Sequence, residues 1–295
     1  MQRRKALEAG LRILEGNAIP SAPLATELLL MHVLAIDRAE LYTHPETELP
    51  AEAETRYFEL IGERAAGKPV QYITGHQEFW GLDFEVNPDV LIPRPETELV
   101  VEAVIDLTGG TARARSEAGL RMVDVGTGSG CIALALASEF PCASIFATDL
   151  SRPALAVAVR NARRLGLGAR VEFVQGDLLE CFAAAGGGAF DFVVSNPPYV
   201  SRDEIRALQR EVRDFEPGLA LGGLSSNDGI YRRLIPQAHA LLKEGGHVIL
   251  EVGYSMAEKI AALLGEGWSG VEIRPDLCGI PRVVMARKQA LRGRA

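Results

Sequence analysis

From Leu91 onward, short apolar runs typical of strands alternate with longer stretches of helical periodicity. The predicted strands are residues 121–125, 144–149, 170–174, 190–195, 247–252, 271–274 and 282–286. The predicted helices between most of them are residues 96–107, 131–139, 153–165, 203–213, 229–242 and 256–264. This alternation predicts the α/β class, an open and mostly parallel sheet with helices on both faces. In such sheets, ligands bind beyond the carboxyl ends of the strands, near the topological switch point.

The residues before this alternation follow a different pattern. In 1–78, Leu7, Leu11 and Leu14 begin a series of apolar side chains at helical spacing, which predicts a compact helical bundle. The segment 79–91 alternates partly, as strands do, so we predict a β-hairpin that links two domains. The expected organisation is an N-terminal helical domain at 1–78, a hairpin linker at 79–91 and a larger α/β domain at 92–295.

The net charge of −8 over 295 residues argues against a broad nucleic-acid surface, because phosphate neutralisation requires clustered Lys and Arg. No apolar run approaches the roughly 20 residues that span a bilayer, and no signal core follows the basic start. We therefore expect a cytoplasmic protein without a membrane partner. We also expect a monomer, which composition alone does not decide. The four cysteines lack CxxC spacing and a neighbouring histidine cluster, which favours reduced thiols and predicts no metal site.

The predicted strand 121–125 runs directly into a glycine-rich turn, after which helix 131–139 begins. The residues of this turn are Gly126, Thr127, Gly128, Ser129 and Gly130. Glycines let the backbone approach a ligand closely, and unpaired N–H groups at a helix start attract a negative group such as a carboxylate. The spacing departs from the G-x-G-x-x-G dinucleotide fingerprint, because the third glycine comes two residues after the second. Taken alone, the segment leaves a purely structural turn open as an alternative.

Two acidic residues follow the next two predicted strands. Asp149 ends strand 144–149, where its carboxylate could accept hydrogen bonds from both hydroxyls of a ribose. Asp177 comes after strand 170–174 and could meet the amino edge of an adenine. The glycine turn, Asp149 and Asp177 thus follow three successive strands, which predicts one ligand site along a single sheet edge.

The fourth predicted strand ends in Ser195-Asn196-Pro197-Pro198-Tyr199. The Asn side chain offers a carbonyl acceptor, the prolines contribute carbonyls without N–H donors, and the Tyr ring adds a flat, rigid face. Together these groups could hold a planar NH2 group, with two acceptors for its hydrogens and a ring against its face. The pattern indicates chemistry on an amide or amine nitrogen. A proline-stiffened strand exit is the structural alternative.

The glycine turn with Asp149 and Asp177 resembles the class I S-adenosylmethionine-dependent methyltransferases. The resemblance implies a Rossmann-like, mostly parallel seven-stranded sheet that binds S-adenosylmethionine and needs no metal. It also implies that the turn lies beside the methionine moiety, that Asp149 binds the ribose and that Leu178 packs near adenine. The stretch after the fourth strand is similar to the (Asn/Asp)-Pro-Pro-(Tyr/Phe) motif of methyltransferases that act on planar nitrogens.

Three further stretches narrow the resemblance. They are Phe79-Trp80 with Val90-Leu91-Ile92-Pro93-Arg94-Pro95-Glu96-Thr97-Glu98, Phe215-Glu216-Pro217 with Leu219-Ala220-Leu221, and Asp228-Gly229 ahead of a helix. With the helical N-terminal domain, they resemble the N5-glutamine methyltransferases of peptide-chain release factors (the PrmC/HemK family) over nearly the whole chain. That family methylates the side-chain amide of the glutamine in the Gly-Gly-Gln motif of class I release factors. The resemblance implies that the N-terminal helices help to recognise the release factor.

The resemblance also assigns roles to individual residues. The expected catalytic residues are Asn196, Pro197 and Tyr199, and Pro198 joins them in the expected substrate site. We expect Asn196 Oδ1 and the Pro197 carbonyl to hold the glutamine amide, with Tyr199 packing on its face. Asn196 also borders the expected cofactor site. Two acceptors on the amide hydrogens would favour the positive charge that develops on nitrogen during methyl transfer.

Structural interpretations and other functions stay open at this point. Pro95 with Glu96 suits a helix start, and Glu216-Pro217 suits a helix end. A nucleic-acid methyltransferase acting on adenine N6 or guanine N2 would also hold a planar NH2 group. The acidic balance and the lack of a basic target-recognition segment disfavour that alternative. A non-catalytic protein of the same fold would have no need of intact pocket residues.

Overall fold

The computed structural model describes residues 1–111, 119–222 and 227–290. Its contacts divide the chain into two units. The helical unit comprises Met1–His76 together with Leu208–Phe215, and the sheet unit comprises Gln77–Ala207 and Glu216–Ala295. Leu208–Phe215 falls in the second domain of the predicted organisation, so the helical unit is discontinuous in sequence. The role in substrate recognition that was predicted for this unit stays a prediction.

Five helices form the N-terminal part of the helical unit. They are α1 Arg3–Gly16, α2 Ala22–Leu34, α3 Arg38–Thr43, α4 Ala51–Ala65 and α5 Val70–Thr74. Their core is a cluster of apolar side chains that includes Leu14, Leu29, Leu30, Tyr57 and Ile61, all of them fully buried. Burial of such side chains is the main stabilising contribution to a bundle of short helices. The helical N-terminal part predicted from apolar spacing is therefore confirmed.

A two-stranded hairpin follows, formed by β1 His76–Phe79 and β2 Leu82–Glu85. Its turn places Trp80 and Gly81 at φ angles of 56° and 70°, the left-handed region that two-residue hairpin turns require. The hairpin begins at His76, whereas the sequence predicted a start at residue 79. The fully buried amide of Asn161 accepts from Glu85 N at 2.7 Å and donates to Glu85 O at 3.0 Å, which holds the end of the hairpin.

Seven strands form the sheet, in the order β5-β4-β3-β6-β7-β9-β8. They are β3 Arg121–Val125, β4 Ser144–Asp149, β5 Val171–Gln175, β6 Phe190–Ser195, β7 Leu242–Glu251, β8 Trp268–Pro275 and β9 Pro281–Lys288. The strands from β5 to β7 pair in parallel, and β9 runs antiparallel to both β7 and β8. The predicted Rossmann-like, mostly parallel seven-stranded sheet is confirmed.

The helices of the sheet unit fall between the strands. They are α6 Glu98–Leu107, α7 Cys131–Glu139, α8 Arg152–Arg164, α9 Arg202–Ala207, α11 Gly218–Leu221, α12 Gly229–Leu241 and α13 Ala257–Ala261, with α10 Arg210–Phe215 in the helical unit. Short 3-10 turns occupy Pro95–Thr97 and Glu180–Ala185. Helix α7 is almost entirely apolar and is buried from Cys131 to Ala137, as expected of a helix in the interior.

The predicted helix 203–213 is two helices in the structure, α9 and α10. The backbone leaves helical geometry at Leu208, and the Gln209 carbonyl then accepts the first N–H groups of α10. Within the helical unit, Glu211 of α10 pairs with the guanidinium of Arg64, which is only 4% exposed. Because an unpaired buried charge is costly, this carboxylate stabilises the unit that α10 joins. The residues after the break thus belong to the helical unit, whereas α9 belongs to the sheet unit.

The register of the central strands places their carboxyl ends at the same height in the sheet. Val125, the last residue of β3, pairs with Thr148 of β4 on one side and with Ser195 of β6 on the other. The order of the strands along the chain reverses beside β3, because β4 and β5 lie to one side of it and β6 and β7 to the other. The loops after β3, β4 and β6 therefore leave one sheet edge at the switch point.

In the described parts of the chain, no helix combines the length and the apolar character needed to span a membrane.

Gly10 provides a test of the helical packing. A Cβ built on Gly10 would clash with the hydroxyl of Tyr57 and lie 3.1 Å from Ile61 Cδ1, and both of these residues are fully buried. We expect Gly10→Ala to cost about 1–3 kcal/mol of overpacking, more than the gain in helix propensity. The matched control is Gly62→Ala in α4, where nothing lies within 4 Å of the added carbon. Gly62→Ala should raise stability by about 0.5–1 kcal/mol, so chemical denaturation followed by circular dichroism should give opposite signs. Equal shifts would contradict the packing described.

Candidate active site

A cavity of about 600 Å³ opens at the carboxyl edge of the sheet, within the size range of small-molecule sites. Most of the sequence-predicted site residues meet there. Those that line the cavity are Gly126, Thr127, Gly128, Ser129, Asp149, Asp177, Leu178, Asn196 and Pro198. Gly130, Pro197 and Tyr199 are not among the lining residues. Several residues without a predicted role also line the cavity, Thr97 and Arg233 among them.

The three glycines of the turn have different surroundings. Gly126 and Gly128 have φ angles of 73° and 55°, and a Cβ added to either would have nothing within 4 Å. Their backbone is thus open to the cavity, in a conformation that other residues adopt only at a cost. Gly130 has a φ of 87°, and its added Cβ would lie 3.1 Å from Leu134 and 3.2 Å from Ala158. The third glycine serves the packing of the following helix.

The buried carboxyl group of Asp124 supports the glycine turn 126–130. Asp124 is 1% exposed, and its Oδ2 accepts from Thr127 Oγ1 at 2.6 Å and from Ala133 N at 3.3 Å. Its Oδ1 has no hydrogen-bond partner among the described residues. Burial raises the pKa of Asp124 to about 7, and the two hydrogen bonds only partly oppose that effect. Asp124 was not among the predicted site residues, although an acid inside an apolar strand is a usable signal.

Asp149 joins the glycine turn to the next helix. Its Oδ2 accepts from Gly128 N at 2.9 Å, and its Oδ1 accepts from Ser151 N at 2.8 Å. Burial is the largest influence on this group and raises its pKa. Each carboxylate oxygen still has a lone pair for a ligand in the cavity.

Asp177 and Leu178 reach the cavity beside Arg233. The Asp177 carboxylate accepts from Arg233 Nη2 at 2.7 Å, so it is already engaged by a guanidinium. Leu178 has a φ of 54°, and its carbonyl accepts from Thr148 Oγ1 at 3.1 Å, which fixes this strained backbone. The pairing with Arg233 was not predicted, because the two residues belong to separate elements.

The segment after β6 presents its residues in different directions. Ser195 Oγ donates to Val125 O at 2.6 Å and ties the end of β6 to the end of β3. Asn196 and Pro198 line the cavity, whereas Pro197 is buried. Tyr199 packs against Gly253, where an added Cβ would lie 2.8 Å from its ring, and its hydroxyl is 3.5 Å from Glu251 Oε1.

A chain of three side chains leads from Asn196 into the interior. Asn196 Nδ2 donates to Thr97 Oγ1 at 3.1 Å, and Thr97 Oγ1 donates to Glu251 Oε2 at 2.6 Å. Glu251 is 2% exposed, and burial raises its pKa to about 7. Neither Thr97 nor Glu251 had a predicted role. The position of Glu251 at the end of an apolar strand was the available signal.

The stretches 90–98 and 215–221 are linked by a third buried carboxyl group, that of Glu216. The Arg94 guanidinium pairs with Glu216, whose side chain is 1% exposed and also accepts from Ile92 N at 3.4 Å. Glu216 thus does more than precede a proline. It holds the loop before α6 beside the loop after α10, and Arg94 and Pro217 both line the cavity.

These features define the chemistry that the cavity can support. Backbone groups of the turn and the carboxylate of Asp149 suit a polar ligand with hydroxyl groups, and Asn196 suits an amide or amine. No histidine lines the cavity among the described residues. In the same parts of the chain, no cluster of three or more His, Cys, Asp or Glu residues could hold a metal ion.

Comparisons with known proteins agree with this geometry. Residues 5–75 match the PrmC N-terminal domain family, and residues 122–216 match a methyltransferase domain family. The release factor glutamine methyltransferase of Koribacter versatilis is 48% identical over 288 residues, which cover 98% of this chain and 99% of that protein. The release factor glutamine methyltransferase of Moorella thermoacetica is 40% identical over 291 residues, which cover 98% and 99% of the two chains.

A solved structure supports the fold alone. The catalytic domain of hMettl16 matches with a TM-score of 0.55 at 16% identity, and the match covers 79% of this chain and 83% of that chain. At such identity the likeness concerns the arrangement of strands and helices, not the substrate.

Asp124 gives the site a testable pH dependence. Its pKa in the fold, about 7, lies above the value near 3.9 expected in an unfolded chain, so ionisation opposes folding. Stability from this group is therefore lost as pH rises from about 4 through about 7. We expect Asp124→Asn to unfold like the wild type near pH 4 and to gain relative stability up to about pH 7, by at most about 1.4 kcal/mol per pH unit, with no further gain above that pH. Urea denaturation of both proteins across this pH range measures the difference in their free energies of unfolding. A difference that does not change with pH would exclude a raised pKa for Asp124.

Proposed function

The chain belongs to the family of release factor glutamine methyltransferases, and we propose that its cavity transfers a methyl group to the side-chain amide nitrogen of a release-factor glutamine. The methyl donor is S-adenosylmethionine. The observation that carries the proposal is the position of Asn196, whose side chain lines the same cavity as the glycine turn and Asp149. Methyl transfer requires donor and acceptor in one pocket, aligned for in-line attack.

The cavity fits S-adenosylmethionine. The open backbone at Gly126 and Gly128 allows close approach, and the Asp149 carboxylate has lone pairs for two ribose hydroxyls. When bound, the cofactor supplies an electrophilic sulfonium methyl group. The residues that would hold it are Gly126, Thr127, Gly128, Ser129, Asp149, Asp177 and Leu178, with Asn196 at the border and Gly130 supporting the turn.

The substrate amide is held by acceptors after β6. Asn196 Oδ1 accepts one N–H of the glutamine amide, and the Pro197 carbonyl accepts the other. The Tyr199 ring packs on Gly253, and in this proposal it also packs on the face of the amide. Pro198 borders the same group from the cavity wall.

These acceptors address a specific difficulty. An amide nitrogen is a poor nucleophile, because its lone pair is delocalised into the carbonyl. Oxygen atoms on both N–H groups favour the positive charge that develops on nitrogen, and fixed orientation contributes part of the roughly 7–11 kcal/mol available from alignment. The methylated nitrogen is acidic and loses its proton afterwards, so the site works without a strong general base.

The proposed partner is a class I release factor, recognised as a protein through its Gly-Gly-Gln motif. The helical unit, with its match to the PrmC N-terminal domain, contributes to that recognition. The acidic net charge of −8 supports a protein substrate over nucleic acid, so the alternative of adenine N6 or guanine N2 methylation is not favoured. We further propose that the enzyme acts as a monomer in the cytoplasm, where translation takes place.

One experiment tests the reaction. Labelled S-adenosylmethionine is offered with a class I release factor, with the same factor carrying Asn in place of the motif Gln, and with bulk DNA or RNA. We expect label on the intact factor alone, and loss of most label when the enzyme carries Asn196→Ala although its fold persists. Label on nucleic acid, or on the factor without its Gln, would overturn the proposal.

The role of Asp149 has a separate test. Asp149→Ala removes two acceptors for the ribose hydroxyls, so we expect its dissociation constant for S-adenosylmethionine to rise about 10–100-fold. The matched control is Asp83→Ala, whose carboxylate is 55% exposed on the hairpin and pairs with Arg164. Calorimetric titration should find the affinity of Asp83→Ala unchanged. An unchanged constant for Asp149→Ala would exclude the ribose role.

A further inference from the structure

The proposed function depends on the way the Asn196 side chain faces. A side-chain amide has an oxygen that accepts and a nitrogen that donates, and a half-turn of the group exchanges the two. Only one orientation can accept an N–H from a glutamine amide. With the other orientation, two NH2 groups would face each other, and the substrate would lose its acceptor. An enzyme of this kind therefore needs a means of selecting the orientation.

The hydrogen-bond chain from Asn196 to Glu251 makes that selection. A Thr hydroxyl has one hydrogen, and Thr97 donates it to Glu251 Oε2 at 2.6 Å. The Thr97 oxygen therefore faces Asn196, 3.1 Å away, with lone pairs only. Asn196 can satisfy it only with its NH2 group, which leaves Oδ1 on the other side of the amide.

We propose that Thr97 and Glu251 are positioning residues, which hold the Asn196 amide with its oxygen towards the substrate and release that orientation when Glu251 takes up a proton. The inference rests on the proposed function for its consequence in catalysis. Neither residue needs to touch the substrate in order to act, because each acts through the next.

The direction of the chain depends on the charge of Glu251. As a carboxylate, Glu251 can only accept, so both hydrogen bonds run from Asn196 towards it. As a carboxylic acid, it can donate to Thr97, whose own hydrogen is then free to turn to Asn196 Oδ1. The amide would then present its nitrogen to the substrate. The rate of methyl transfer should therefore fall as pH drops through the pKa of Glu251, which burial raises to about 7.

Glu251 is well held for such a role. Tyr231 donates from its hydroxyl to the Glu251 carbonyl at 2.7 Å, which fixes the backbone at the end of β7. The titratable and charged groups that face its carboxyl are Glu96, Cys131, Tyr199, Tyr231 and Arg282. Glu96 raises its pKa and Arg282 lowers it, so the two neighbours act in opposite directions.

The test compares turnover at saturating S-adenosylmethionine and release factor across pH. We expect Thr97→Val to lower kcat about 100-fold, as expected for a misplaced reacting group, with little change in KM. Thr97→Ser retains the hydroxyl and should restore turnover to within a fewfold of wild type. Glu251→Gln should lower the plateau and abolish the decline at acid pH. A Thr97→Val enzyme within twofold of wild type, or an intact acid decline in Glu251→Gln, would overturn the proposal.

Two charge variants test the pH dependence without changing any residue of the hydrogen-bond chain from Asn196 to Glu251. Glu96→Gln removes a nearby negative charge and should move the midpoint of the acid decline to lower pH. Arg282→Gln removes a positive charge and should move it to higher pH. If Glu251 had a purely structural role, the two variants would not shift the midpoint of the acid decline in opposite directions. Midpoints that coincide for both variants and the wild type would refute the assignment to Glu251.

A spectroscopic measurement separates this inference from the proposed function. The side-chain amide signals of Asn196 in the 15N-labelled full chain are assigned by their loss in Asn196→Asp. We expect these signals to titrate in the wild type with the midpoint of Glu251, and to be constant with pH in Glu251→Gln. That result supports the positioning role even if no label reaches a release factor, which would count against the proposed function alone. Signals that do not titrate in the wild type would overturn the positioning role.

Discussion

Parallel pairing of β3 with both of its neighbours is the constraint on which the site depends. Val125 pairs with Thr148 and with Ser195, so three strands end at one level. Each strand then passes into a loop whose first residues bear the chemistry. A shift of β6 by one residue would turn its alternating side chains to the opposite face and remove Asn196 from the cavity. The Ser195 hydroxyl opposes that shift through its bond to the Val125 carbonyl.

Burial of carboxyl groups behind this edge is the second common element. Asp124 and Glu251 are 1% and 2% exposed, and each has few hydrogen-bond donors around it. Burying such groups is unfavourable, and their raised pKa values are the measure of that cost. The fold tolerates them where they orient other polar groups: Asp124 orients the glycine turn and Glu251 orients Thr97. Burial of Asp124 and Glu251 thus lowers the stability of the fold at positions where the site requires fixed hydrogen bonds.

Local patterns explain which parts of this structure could be predicted. Strands 121–125, 144–149 and 190–195 were predicted with the correct ends, because an apolar run and its terminating residue are adjacent in sequence. The site residues that follow those strands were accessible for the same reason. Thr97 and Glu251 were missed because their hydrogen bond joins residues 154 positions apart. The break between α9 and α10 was missed because no Pro or Gly marks it in sequence, and the Arg64–Glu211 pair of α10 joins residues 147 positions apart.

That ion pair also sets an order of events during synthesis. The helical unit occupies the start of the chain, yet one of its helices, α10, is more than a hundred residues away in sequence. When the first 76 residues leave the ribosome, the buried guanidinium of Arg64 has no Glu211 to neutralise it. Residues 1–76 therefore become part of a complete helical unit only after four strands of the central sheet have also been translated. The Arg64–Glu211 pair thus forms only after much of the sheet unit has been synthesised, unlike the contacts of an N-terminal domain that is contiguous in sequence.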